Sequence, residues 1–170
     1  MKYKSIVYLI ASFIISVGVI GIYQFDNLRI KNINTVDVQY VDKDNEKYLT
    51  NIDNIVSGEK YIEIDGWALE KGTINEYFNW VTGPDESVYN NNQVVLQDED
   101  GNIYAINTVS EERLDVNELI NDKINYRKCG FKALVKRNKL KENCKYKVGI
   151  IITTLEDEKI LVMSEEEIVR

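Results

Sequence analysis

Histidine is absent from this 170-residue chain, and with it go the commonest general base and the commonest neutral metal ligand. Ser–His–Asp, Cys–His and His-zinc sites therefore cannot be assembled within it. The chain also lacks a glycine-rich loop of the kind that cradles phosphates. Positive charge is in deficit, with 21 Lys and Arg against 28 Asp and Glu and a net charge of −7. The first 25 residues hold Lys2 and Lys4 and no acid, so the remainder is more acidic still. Such a surface repels phosphate backbones, and no nucleic-acid partner is expected. Internal repeats and low-complexity tracts are missing too. Carboxylates abound, but no glycosidase-like pair stands out among them. Neither an enzyme nor a bound cofactor or metal is the expected reading, and no residue is assigned a catalytic role.

What the chain does have begins with an apolar run from Ile6 to Tyr23, IVYLIASFIISVGVIGIY. Its 18 residues contain no charge and would make roughly 27 Å of helix, close to the hydrocarbon thickness of a bilayer. Lys2 and Lys4 precede it, which predicts a cytoplasmic N-terminus and an outside C-terminal body. A cleaved signal peptide is the alternative. Its apolar region would be shorter and end at a small-x-small site, whereas Ser16-Val17-Gly18 lies inside the run. No cysteine follows the run closely, which excludes a lipoprotein anchor. A buried core helix is disfavoured because a helix apolar on every face needs protein all round it. The expected organisation is a membrane anchor over 1–25, a short linker over 26–34, and an extracytoplasmic domain over 35–170.

In the body, short apolar stretches of period two alternate with Asn, Asp and Gly turns, the pattern of an all-β domain. Val36, Val38 and Tyr40 alternate, as do Ile62 and Ile64. Val94 to Gln97 and Ile103 to Thr108 flank a turn at 98–102, which predicts a hairpin. Further strands are expected at Phe131–Val135, over Tyr146, Val148, Ile150 and Ile152, and at Ile160–Met163. Asp115 followed by Glu118, with Val116, Leu119, Ile120 and Ile124 on one helical face, predicts a short helix capped by Asp115. Pairing of Asp115 with Arg113 is the less favoured reading.

Leu140 stands six residues before Tyr146, which opens an alternating strand. This spacing resembles the tyrosine corner of immunoglobulin-like and fibronectin type III domains, where the hydroxyl bonds to backbone upstream. An inward strand aromatic is the plainer alternative. The order Ile62-x-Ile64-x-Gly66-Trp67-Ala68, Arg113-x-Asp115-Val116, Tyr126-x-x-Cys129-Gly130-Phe131 and Leu140…Tyr146 is similar to small extracytoplasmic β-sandwich modules of Gram-positive bacterial membrane proteins. Those modules accompany surface-polysaccharide and teichoic-acid-type glycosyltransferases. The resemblance spans about Tyr61 to Met163 and implies structural roles for Tyr146, Leu140, Gly130, Phe131, Trp67 and Asp115. Ser is usual there in place of Cys129, and Gly near Asn143-Cys144. No transferase catalytic region is present, so that activity does not carry over. The expected fold is mainly β: an immunoglobulin-like antiparallel sandwich with one short helix, preceded by a transmembrane helix.

Cys129 and Cys144 open successive strands in this reading, at opposite ends of the domain and beyond the roughly 7 Å Cα limit for a disulfide. A free pair is favoured. Asp98, Asp100 and Asn102 around Gly101 offer oxygens to calcium, but Asp-Gly is a common hairpin turn and the bidentate Glu of an EF-hand is missing. The acidic loop at Asp42–Glu46 is read the same way. Trp67, Tyr77, Phe78, Trp80 and Tyr89 gather in the first half of the body. Packing is the favoured role, most of all for Trp67, which is out of phase with Ile62 and Ile64 and either faces the other side or follows a bulge at Gly66. Tyr77, Trp80 and Tyr89, in or beside a loop over 79–92, are the candidates for stacking on sugar rings. The expected function is a binding or accessory module contacting envelope glycan or a membrane partner. A non-catalytic scaffold subunit is the alternative, and an enzyme with an unrecognised carboxylate site the third reading.

Overall fold

The computed structural model describes residues 30–33, 37–73, 77–79, 83–85, 91–121 and 123–170. The expected anchor, Ile6 to Tyr23, lies outside the described residues. Among the described residues, no helix is long and apolar enough to cross a membrane.

The body is mainly β, with two principal sheets and one short helix. The first strands are β1 (Lys31–Asn32), β2 (Gln39–Val41), β3 (Tyr48–Ser57) and β4 (Tyr61–Glu70). A short pair follows, β5 (Tyr77–Asn79) with β6 (Gly83–Asp85). Next come β7 (Asn91–Asp98), β8 (Ile103–Ala105), β9 (Asn107–Glu111) and the helix α1 (Leu114–Ile120). The last strands are β10 (Gly130–Lys136), β11 (Lys145–Thr153) and β12 (Lys159–Val169). One sheet has the order β1-β8-β7-β11-β12-β2 and the other β3-β4-β10-β9.

Period-two patterning explains how the sheets face each other. Ile62, Ile64 and Ala68 on β4 point the same way as Phe131, Ala133 and Val135 on β10. They meet Val94 and Leu96 on β7, Tyr146, Val148, Ile150 and Ile152 on β11, and Ile160 and Val162 on β12. Each fully buried Ile or Val contributes about 1.5–3 kcal/mol relative to exposure. A second apolar layer lies outside the six-stranded sheet, where Ile33 and Val38 pack on Val95, Ile103, Ile151 and Leu161. A third lies outside the four-stranded sheet, where Val116 of α1, with Tyr126 and Cys129, covers Trp67 and Leu69.

Several expectations need correction. Among the described residues the first strand is β1, where Lys31 lies opposite Ala105. The hairpin's second arm is broken at Ile106. Its first part stays with β7, while β9 pairs with β10 in the other sheet. The six-stranded sheet is not purely antiparallel, since β2 runs parallel to β12. Tyr40, in the alternating stretch with Val38, is 51% exposed. Within the stretch expected to be loop, β6 pairs with β5, and β7 begins at Asn91. The last strand runs on to Val169. Asp115 does not cap α1: the N-cap position is Arg113, without a side-chain cap bond, and Asp115 sits in the first turn. Leu119, expected on the inward face of the helix, is 70% exposed.

Candidate functional site

Of the three residues expected to meet a sugar, Trp80 and Tyr89 lie outside the described residues. Tyr77 opens β5, whose backbone pairs with β6 in the register Tyr77 to Asp85. Trp67 is buried under α1, on the sheet face opposite Ile62 and Ile64. The β4 strand keeps its phase through Gly66. The irregularity lies in its partner β3, between Ile52 and Asn54. Gly66 is needed there because a Cβ would strike the Asn51 carbonyl oxygen and come within 2.8 Å of Phe131 Cζ. Gly130 has a similar reason, since a Cβ would lie 2.8 Å from the Glu111 carbonyl oxygen on β9.

The crossover from β10 to β11 is held by Tyr146. Its ring is buried, and its hydroxyl oxygen accepts a hydrogen bond from the Lys141 backbone N–H at 2.9 Å. Leu140 is buried in the same core. Burial, and less strongly the neighbouring Cys144, push the Tyr146 hydroxyl above its ordinary value. Tyr104 meets the Tyr146 ring edge-on, with centroids 6.5 Å apart.

The turn at 98–102 shows why its aspartates are not a loose acidic loop. The Asp98 side chain is fully buried. It accepts backbone N–H bonds from Asp100 at 3.1 Å and Asn102 at 2.9 Å, and the Tyr104 hydroxyl at 2.9 Å. The Asn102 amide and the Lys141 ammonium each donate at 3.1 Å. Burial alone would raise the Asp98 carboxyl. The bonds from Asn102, Lys141 and Tyr104 outweigh it and hold the group well below the usual carboxylate range. These donors use the oxygens a cation would need, and no group of metal-ligating side chains occurs among the described residues.

Arg113 fastens the start of α1 to the irregular strand. Its Nε and Nη2 donate to the two Asp115 oxygens at 2.8 and 2.6 Å, and Nη1 pairs with Asp53. This two-pronged bond draws the Asp115 carboxyl down to about 2. Cys129 and Cys144 are free and buried in different clusters, on opposite sides of the four-stranded sheet. Burial pushes the Cys129 thiol up to about 12.

At the end of the body where β10 crosses to β11, an open cleft of about 730 Å³ lies between the β3–β4 turn, the end of β10, and the last residue. Lys60, Lys136, Arg137 and Arg170 line it with two acidic side chains, Glu59 and Glu142. Sequence reasoning missed this site because its cations come from segments far apart in the chain, each ordinary alone. The pairing of β4 with β10, which sets Tyr61 opposite Lys136, brings them together.

No family model, no curated protein and no solved structure matches this chain. The functional reading therefore rests on the residues themselves and their arrangement.

Proposed function

We propose that the chain is a membrane-anchored, extracytoplasmic binding module on an immunoglobulin-like sandwich, contacting envelope glycan or a membrane partner rather than catalysing a reaction. The observation that carries the location is the uncharged run Ile6–Tyr23 behind Lys2 and Lys4. The strand orders support the immunoglobulin-like part. With β3, β4, β10 and β9 as A, B, E and D, the second sheet reads C′, C, F and G along β8, β7, β11 and β12. Tyr146 then stands near the start of strand F at the E–F corner, bonded to backbone upstream. Antibody domains join B to F by a disulfide; here β4 and β11 carry no cysteine, and Ile64 and Val148 lie in the core that the two sheets share. The departures from that frame are the added β1 and β2, the β5–β6 pair, and α1 between D and E. The resemblance to envelope modules over Tyr61 to Met163 supports a glycan ligand.

The test is binding of the full chain, in a neutral detergent, to fractionated cell-wall and surface polysaccharides, with Trp80→Ala alongside the parent. Saturable binding to one fraction, weakened by the substitution, is expected. Failure to bind any fraction overturns the glycan version. A scaffold role is favoured by the exposed Leu114 and Leu119 on α1. It predicts co-purification of a larger membrane protein with the native anchor and not with an exchanged one.

A further inference from the structure

We propose that the cleft at the end of the body where β10 crosses to β11 binds a phosphate-bearing anion. The proposal goes beyond the module reading and does not need the membrane location. In a chain of net charge −7, four cations around one open space are a local reversal of sign. Of the negative groups present, Glu142 faces Arg170 at 3.4 Å, and Glu59 and the main-chain carboxylate of Arg170 also border the space. The cleft thus keeps a small excess of positive charge, with Lys60 and Lys136 outside any ion pair among the described residues.

Both arginines are held in place by contacts that leave most of their donors over. The Arg137 backbone N–H donates to the Lys60 carbonyl at 2.9 Å, and its Nη1 to the Gly58 carbonyl at 3.3 Å. Arg170 is fixed through its own backbone: its terminal main-chain oxygen accepts from Asn143 N–H at 2.9 Å and its N–H donates to the Cys144 carbonyl at 3.3 Å. Its Nη1 donates to the Leu140 carbonyl. A guanidinium carries five N–H donors, so each fork retains several for a ligand. Cations pre-set on strand ends and tight turns bind without first ordering a loop.

The cleft is several times larger than one carboxylate needs. Phosphate oxygens can accept from two or three cations at once, and arginine forks match them in pairs. The ligand class is therefore a pyrophosphate or a phosphodiester carried on a larger group, drawn either from solution or from a lipid headgroup.

The experiment titrates the full chain, in a neutral detergent, by calorimetry. One arm adds pyrophosphate. The other adds mixed micelles containing phosphatidylglycerol. One saturable event is expected in at least one arm: a signal with pyrophosphate identifies a soluble source, and a signal with micelles alone identifies a headgroup. The double variant Lys60→Ala/Lys136→Ala weakens it by about tenfold or more. The pair Lys71→Ala/Lys159→Ala removes equal charge from exposed sites outside the cleft and leaves it unchanged. Absence of saturable binding in both arms, or equal loss in both double variants, overturns the proposal.

Discussion

Replacing Asp98 by Asn keeps the shape of the side chain and removes its charge, and the structure sets the size of the effect. In the parent, a fully buried carboxylate accepts from two backbone N–H groups, the Tyr104 hydroxyl, the Asn102 amide and Lys141. An amide oxygen can still accept from the two backbone groups, but a charge-assisted bond is roughly twice as strong as a neutral one. The amide nitrogen then faces donors. Tyr104 can rotate to accept and Asn102 can flip, whereas the Lys141 ammonium has no lone pair to offer. Lys141 is 57% exposed and regains water, so it is left out of the sum. With Asn102 flipped to restore its bond, weakening the two backbone bonds and the Tyr104 bond by about 0.5–1 kcal/mol each gives about 1.5–3 kcal/mol. For a domain of this size that is a fall in Tm of roughly 4–12 °C. The pH dependence is a second check. The folded Asp98 carboxyl lies below its ordinary value. Its contribution is present above about pH 3.9 and is lost as pH falls through the folded value. The gap between parent and Asp98→Asn should be wide at pH 7 and narrow below pH 4. Urea unfolding followed by circular dichroism measures both. A loss below about 0.5 kcal/mol at pH 7, or a gap unchanged from pH 7 to pH 3, refutes the hub.

Tyr146→Phe leaves the ring in the core and deprives the Lys141 N–H of its acceptor, for a loss of about 1–2 kcal/mol by urea unfolding. Tyr61→Phe, at an exposed position, should cost nothing measurable by the same assay. Gly66→Ala forces a methyl against the Asn51 carbonyl and the Phe131 ring, and should cost about 1–3 kcal/mol, with a thermal scan as the readout. Cys129, buried and with its thiol pushed up to about 12, should resist a thiol reagent at pH 8 until the chain unfolds. Rapid labelling of folded protein at Cys129, read by mass spectrometry, contradicts that. Because both cysteines are free, a reducing agent should leave Tm unchanged.

Strands with long period-two alternation were legible in the sequence, because burying one face of β4 or β11 demands that pattern. The Leu140-to-Tyr146 spacing pointed to the bond between the Tyr146 hydroxyl and the Lys141 backbone, since both residues lie on one short crossover. Elements set by distant partners were not legible. Two-residue β1 has no pattern of its own and exists through pairing with β8. Strand β9 reads as polar, and its change of sheet depends on the break at Ile106. Whether Asp115 caps or pairs was decided by how Arg113 is placed, and Arg113 also reaches Asp53, sixty residues away. The turn at 98–102 was readable as a turn. Its role as a hub was not, because Lys141 arrives from 43 residues further along. The cleft follows the same rule.

The location of the body is tested most directly by fusing reporters after Arg170, alkaline phosphatase in one strain and green fluorescent protein in another. The account predicts active phosphatase and dark fluorescent protein, with the fusion in the membrane fraction. Fluorescence with inactive phosphatase contradicts it.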